Sequence, residues 1–114
     1  MLGLLFFMGL ITDKWIVFSK ETAIGQWTDN ADYNEMFLRS SFNFLNDVLK
    51  AVGYVSWEKI CDILGIQCDP EDIESTSVIR GKYVEKIVPL YSEPDENGAI
   101  KIRITLEYRK GENV

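Results

Sequence analysis

The chain has 114 residues, 46% hydrophobic and 26% charged, a length and composition suited to one domain with one core. Its net charge of −6 and pI near 4.6 argue against a nucleic-acid-binding surface, and the lack of low-complexity tracts or fixed-period repeats argues against disorder and solenoids. There is no histidine, which removes the commonest general base, the serine-triad base and the commonest zinc ligand together.

The N-terminal run Met1–Ile11 is apolar, is interrupted by Thr12, Asp13 and Lys14, and resumes at Trp15–Phe18. A membrane span needs about 20 apolar residues, and a signal peptide needs a basic leading segment that is missing here. Residues 1–18 therefore read as buried strand structure, with a hairpin turning near Asp13. A membrane-associated or partner-buried tail is the alternative. Ser19 to Asn30 reads as a connection, with Trp27 as a core plug.

A long helix is expected from about residue 29 to Val52, capped by Asp29, Asn30 or Asp32. Leu38, Phe42, Leu45, Leu49 and Val52 form a buried stripe. Phe37, Phe44 and Val48 widen it to roughly 160°, enough to bury against two elements. Arg39, Asn43, Asn46, Asp47 and Lys50 fall on the opposite side. Gly53 then serves as a left-handed C-cap and Ser56 as the next N-cap. Val55 and Ile60 have hydrophobic-staple spacing. Trp57, Ile60, Cys61 and Leu64 make one apolar face of a short helix that stops at Gly65.

Asp69-Pro70-Glu71-Asp72 begins an acidic turn whose spacing lacks the glycine and ligand order of a calcium loop. The two cysteines form neither a CxxC motif nor a disulfide framework. Cys61 reads as a core residue and Cys68 as a loop thiol, which suits a reducing compartment. Ser77 to Tyr91 reads as one strand, with Val84, Val88 and Leu90 on one side and Tyr83, Glu85, Ile87 and Tyr91 on the other. Gly81 suggests a bulge, and Pro89 points to an edge or a bulged end. The Asn97-Gly98 turn leads into strict alternation of Ile100, Ile102, Ile104, Leu106 and Tyr108 with Lys101, Arg103, Thr105, Glu107 and Arg109.

These elements predict an α+β fold: a long central helix and a short second helix packed on a small antiparallel sheet that ends in a β-hairpin. The expected parts of the single domain, 1–114, are an apolar N-terminal strand or tail at 1–18, a helix-corner-helix at 29–66 and the hairpin at 77–109.

At Gly53-Tyr54-Val55-Ser56-Trp57-Glu58-Lys59-Ile60-Cys61-Asp62-Ile63-Leu64-Gly65-Ile66 the chain resembles the C-terminal soluble region of an uncharacterised family of phage- and prophage-encoded proteins. The family's aromatic-aliphatic-Ser corner, short helix and Leu-Gly-aliphatic stop are matched here. A strand, an acidic turn and an alternating last strand follow, so the resemblance spans roughly 40–108. Family members carry long hydrophobic N-terminal segments, of which only Met1–Ile11 is present, so membrane attachment is not carried over. The resemblance implies a phage or prophage origin and supplies no catalytic residue.

No P-loop, GxGxxG or GxSxG motif occurs, and the acids cluster in turns and exposed helix positions. The sequence therefore points to a non-enzymatic interaction protein without cofactor or metal. Small size, acidity, absent chemistry and the resemblance together suggest an inhibitor that binds a host defence protein, for example of CRISPR type. The alternative is a virion or assembly component that self-associates through its apolar N-terminus. The expected partner is a host or phage protein, not nucleic acid or membrane, with homo-oligomerisation left open, in the host cytoplasm or the virion. The candidate partner-binding residues are Lys101, Arg103 and Arg109 on the last strand, with Trp15 and Phe18 near the N-terminus.

Overall fold

The computed structural model describes residues 15–67 and 78–109. The Met1–Ile11 run, the turn expected near Asp13, Cys68 and the acidic turn at 69–74 lie outside them. In chain order the elements are β1 (Trp15–Phe18), α1 (Ala31–Val52), β2 (Tyr54–Ser56), α2 (Trp57–Leu64), β3 (Val78–Arg80), β4 (Val84–Tyr91) and β5 (Ile100–Tyr108). They build the expected α+β fold with its C-terminal hairpin.

Helix α1 begins where Asn30 accepts the Tyr33 backbone N–H at 3.0 Å. It ends at Gly53, whose φ of 96° places it in the left-handed region while its N–H donates to the Leu49 carbonyl at 3.0 Å. The interior of α1 is held by packing. Leu38, Phe42, Leu45 and Leu49 are buried, and each such side chain contributes about 1.5–3 kcal/mol, against about 1 kcal/mol for a cap. The caps set the ends of the helix, and the stripe decides that it forms. The arc is narrower than its sequence suggests, because Phe44 and Val52 are exposed.

The second helix follows its expected signals closely. The Ser56 hydroxyl accepts the Lys59 N–H at 3.0 Å. Trp57, Ile60, Cys61 and Leu64 are buried, and Gly65 caps the end at φ 74°. Val55 and Ile60 are both buried, as the staple requires. Strand β2 was not expected. Three residues between two caps are too few to show a period of two, and only pairing with β3 defines them: Tyr54 faces Arg80, Val55 faces Ile79 and Ser56 faces Val78.

The strand expected over Ser77–Tyr91 is divided. Its first part, β3, belongs to the two-stranded ladder with β2, whereas β4 joins a separate sheet in the order β1-β5-β4, antiparallel throughout. Gly81 lies at the division, and its role is close approach rather than a bulge. Its N–H donates to the Gly53 carbonyl at 2.8 Å, and an added Cβ would lie 3.2 Å from the Leu49 carbonyl oxygen and 3.3 Å from that of Gly53.

The bulge lies between Val84 and Lys86. It adds one residue to β4, so the alternation changes phase. Val84 and Ile87 are both buried, while Leu90 is exposed, which corrects the expected sidedness of this strand. Pro89 sits on an edge strand, as expected.

A continuous buried cluster takes Ile16 and Phe18 from β1, the α1 stripe, the α2 face, Val55, Ile79, Val84, Ile87 and the inward side of β5. Phe18 stacks on Phe37 at 5.6 Å between ring centroids, and Tyr91 meets Phe42 edge-on at 6.3 Å. These contacts lay α1 across one side of the three-stranded sheet. The connection beneath α1 is fastened by buried Asn34, whose side chain accepts the Thr28 N–H at 2.8 Å and donates to the Thr28 carbonyl at 2.8 Å.

Candidate functional site: the outer face of the three-stranded sheet

Strand β5 turns Ile100, Ile102 and Ile104 into the core, so Lys101, Arg103, Thr105 and Glu107 point to the side that α1 does not cover. Directly facing residues of an antiparallel pair share one side of the sheet. The register therefore assembles this outer face in rows. Trp15, Arg103 and Leu90 form one row across β1, β5 and β4. Val17 faces Lys101, Val88 faces Thr105, and Lys86 faces Glu107. Trp15 is 55% exposed, Leu90 52% and Val17 37%. The Arg103 guanidinium carbon lies 6.0 Å from the Trp15 ring centroid, a contact worth about 0.5–1 kcal/mol at an exposed position.

Three of the five candidate residues meet here: Trp15, Lys101 and Arg103. Phe18 is corrected to a core residue, since it is fully buried against Phe37. With Ile16 also buried, only Trp15 and Val17 of β1 are open to a neighbour. Arg109 lies six residues beyond Arg103, about 20 Å along the strand. It is occupied in fastening the chain: its Nε donates to the Gly81 carbonyl at 2.7 Å and its N–H to the Tyr83 carbonyl at 2.9 Å. Val17, Val88 and Leu90 were missed as outer-face residues. Val88 and Leu90 were grouped on one side of the strand, but only the bulge at Val84–Lys86, which separates their phase from that of buried Val84, makes that side the outer one.

Both margins of the sheet are partly closed to further strands. The Asn46 carboxamide accepts the Ile87 N–H at 2.7 Å and donates to the Ile87 carbonyl at 2.9 Å. Those two backbone groups therefore point away from β5. Pro89, two residues on, has the same orientation and no N–H to offer. At the other margin, the Thr22 hydroxyl donates to the Val17 carbonyl at 2.6 Å. Addition of a further strand at the β4 edge is thereby opposed.

A depression of about 200 Å³ lies between the start of α1 and the β4–β5 connection, lined by residues that include Asp32, Glu35, Arg39, Tyr91 and Pro94. It is smaller than ordinary small-molecule sites of about 300–1,000 Å³. Arg39 donates to Glu35 at 2.6 Å, with both side chains in solvent. Burial pushes the Tyr91 phenol up to about 12, with Arg39 drawing it down and Glu35 adding to the rise. This is a partly desolvated, half-exposed tyrosine beside a solvent-exposed ion pair. Among the described residues no group of three or more Cys, Asp or Glu could hold a metal ion, and no helix is long and apolar enough to cross a membrane.

Comparison with known proteins finds no match to any family model, curated protein or solved structure.

Proposed function

We propose that the protein is a non-enzymatic binding module that recognises another protein through the outer face of β1, β5 and β4. One observation carries this reading. Trp15, Val17, Val88 and Leu90 stand in adjacent rows on the side of the sheet that α1 leaves uncovered, beside Lys101 and Arg103. Single exposed apolar side chains are ordinary, but a group on one flat surface, anchored by Trp and Arg, has the make-up of an interface centre. The resemblance of the Gly53–Ile66 corner extends the proposal to a phage- or prophage-borne protein acting in the host cytoplasm. Its partner is then a host defence protein, which it inhibits by occupying a working surface.

The test is photo-crosslinking in host cells, with a crosslinkable residue placed at Val88 in the full chain. The expected result is a discrete protein adduct that the double variant W15S/L90S abolishes and the α1 surface variant M36S/F44S retains. An adduct indifferent to W15S/L90S would remove the outer face from the reading.

A further inference from the structure

We infer that helix α1 pairs antiparallel with α1 of a second copy of this chain, making a symmetric dimer through the side turned away from the sheet. The inference goes beyond the binding role proposed above and does not rest on it, since that role uses the opposite side of the molecule.

The first ground is a second apolar stripe. Leu38, Phe42, Leu45 and Leu49 bury one side of α1. At about 100° per residue, Tyr33, Met36, Ser40, Phe44 and Ala51 follow one another along the other side, with half-buried Val48 at its margin. Tyr33 is 58% exposed, Met36 59% and Phe44 48%. A helix side that faces only water is polar, whereas a second apolar stripe belongs to a helix packed on both sides. Lys59 of α2 stands 5.9 Å from the Phe44 ring centroid and rims this stripe on one flank.

The second ground is shape. In an antiparallel pair with its two-fold axis level with Phe42, residues equally far before and after Phe42 come face to face. Tyr33 then meets Ala51 of the second copy, Met36 meets Val48, and Phe44 meets Ser40. Each larger side chain is set against a smaller one, which lets the two helix surfaces interdigitate. The symmetry uses every such contact twice.

The third ground is charge, and it selects the occupant. Asp32 lies in the first turn of α1 and Lys50 in the last, both exposed. About five whole turns separate them, so they stand in one line along the other flank of the stripe. Among the described residues neither makes an ion pair. A two-fold axis across antiparallel helices brings like flanks together, so Asp32 of each copy comes beside Lys50 of the other. A parallel pair would set equal charges and aligned helix dipoles side by side. The contact from Tyr33 to Ala51 is about 27 Å long and lies at the small end of specific interfaces, so the dimer is reversible. It places two helices between two sheets and leaves both outer sheet faces exposed.

The test is sedimentation equilibrium of the full chain over a concentration series. A reversible monomer–dimer equilibrium is expected, weakened about tenfold or more by F44S. D32K and K50D should each weaken it about threefold or more, and D32K/K50D should restore it. Each charge change also opposes the helix dipole, so the double variant should be less stable in urea than either single variant while dimerising better. A merely structural effect would lower both together. An unchanged amide spectrum away from the substitutions shows that each variant folds. A monomer at every concentration up to about 1 mM, a double variant as weak as the single ones, or a dimer indifferent to F44S would overturn the inference. So would a dimer lost in W15S/L90S, which would move the self-association to the sheet. The cellular adduct at Val88 is expected to survive M36S/F44S, so loss of the dimer and loss of the binding role are read separately.

Discussion

Asn46 and Ile87 are 41 residues apart and exchange two hydrogen bonds, the Ile87 N–H to the Asn46 carboxamide oxygen at 2.7 Å and the Asn46 amide to the Ile87 carbonyl at 2.9 Å. The same amide also donates to the Phe42 carbonyl at 3.1 Å, so one side chain ties the central helix to the edge of the sheet. A polar residue on the outer arc of a helix has become the stand-in for a missing neighbouring strand.

Replacing Asn46 by Ala leaves both Ile87 backbone groups without their partner at a partly buried site. A loss of about 1–3 kcal/mol is expected, read as a lower urea midpoint at unchanged m-value. The N46D variant keeps an acceptor for the Ile87 N–H but sets a carboxylate against the Ile87 and Phe42 carbonyls. Those contacts favour its protonated form, raising its folded pKa. Its destabilisation should therefore be greatest at neutral pH and shrink as pH falls through the carboxylate range. Either variant also exposes a strand edge, so light scattering at high concentration should show more self-association than in the parent protein.

The bulge between Val84 and Lys86 is tested by a pair of truncations three residues apart. Ile87→Ala removes a fully buried side chain and should cost about 2–5 kcal/mol. Leu90→Ala removes an exposed one and should change stability by no more than about 0.5 kcal/mol. Because Val84 is also fully buried, the reverse ranking in urea denaturation would mean that alternation runs unbroken from Val84 and that the bulge is absent.

Gly81→Ala places a methyl group against two backbone carbonyl oxygens at 3.2 and 3.3 Å, which side-chain rotation cannot relieve. A loss of about 1–3 kcal/mol is expected by thermal unfolding. Gly53→Ala meets no atom within 4 Å, and its cost of about 1–2 kcal/mol comes from its φ of 96° alone. Gly53→Asn, which tolerates that conformation better, should recover part of the Gly53→Ala loss, whereas Gly81→Asn should be at least as harmful as Gly81→Ala.

Tyr91 should ionise near 12, and the Tyr91→Phe variant should lack that component of the ultraviolet titration. The sign of the linkage follows from the raised folded value. The unfolded chain releases this proton first, near 10, so stability is intact below pH 10 and declines as pH rises from about 10 to 12. Titration of Tyr91 near 10 would mean that water reaches its hydroxyl freely.

What the sequence determined by itself was local. The N-cap at Ser56 and the glycine stops at Gly53 and Gly65 need only nearby backbone groups and left-handed φ values, so they could be read directly. The alternation of β5 was equally legible, because Ile100 to Tyr108 keeps one period without a bulge. The outer face was half legible: Lys101, Arg103 and Trp15 were candidates, but nothing in the chain's order says that Trp15 lies opposite Arg103. Tertiary structure decided that pairing, the division of one apparent strand at Gly81, and the phase change that turns Ile87 inward and Leu90 outward. It also decided that Asn46 faces a strand edge rather than water, and that Phe18 and Arg109 serve the fold instead of the face. The physical reason is common to all of these. Register, bulges and edge closure are settled by which backbone hydrogen bonds and buried surfaces the whole chain can satisfy at once, and that competition is fought between residues far apart in the sequence.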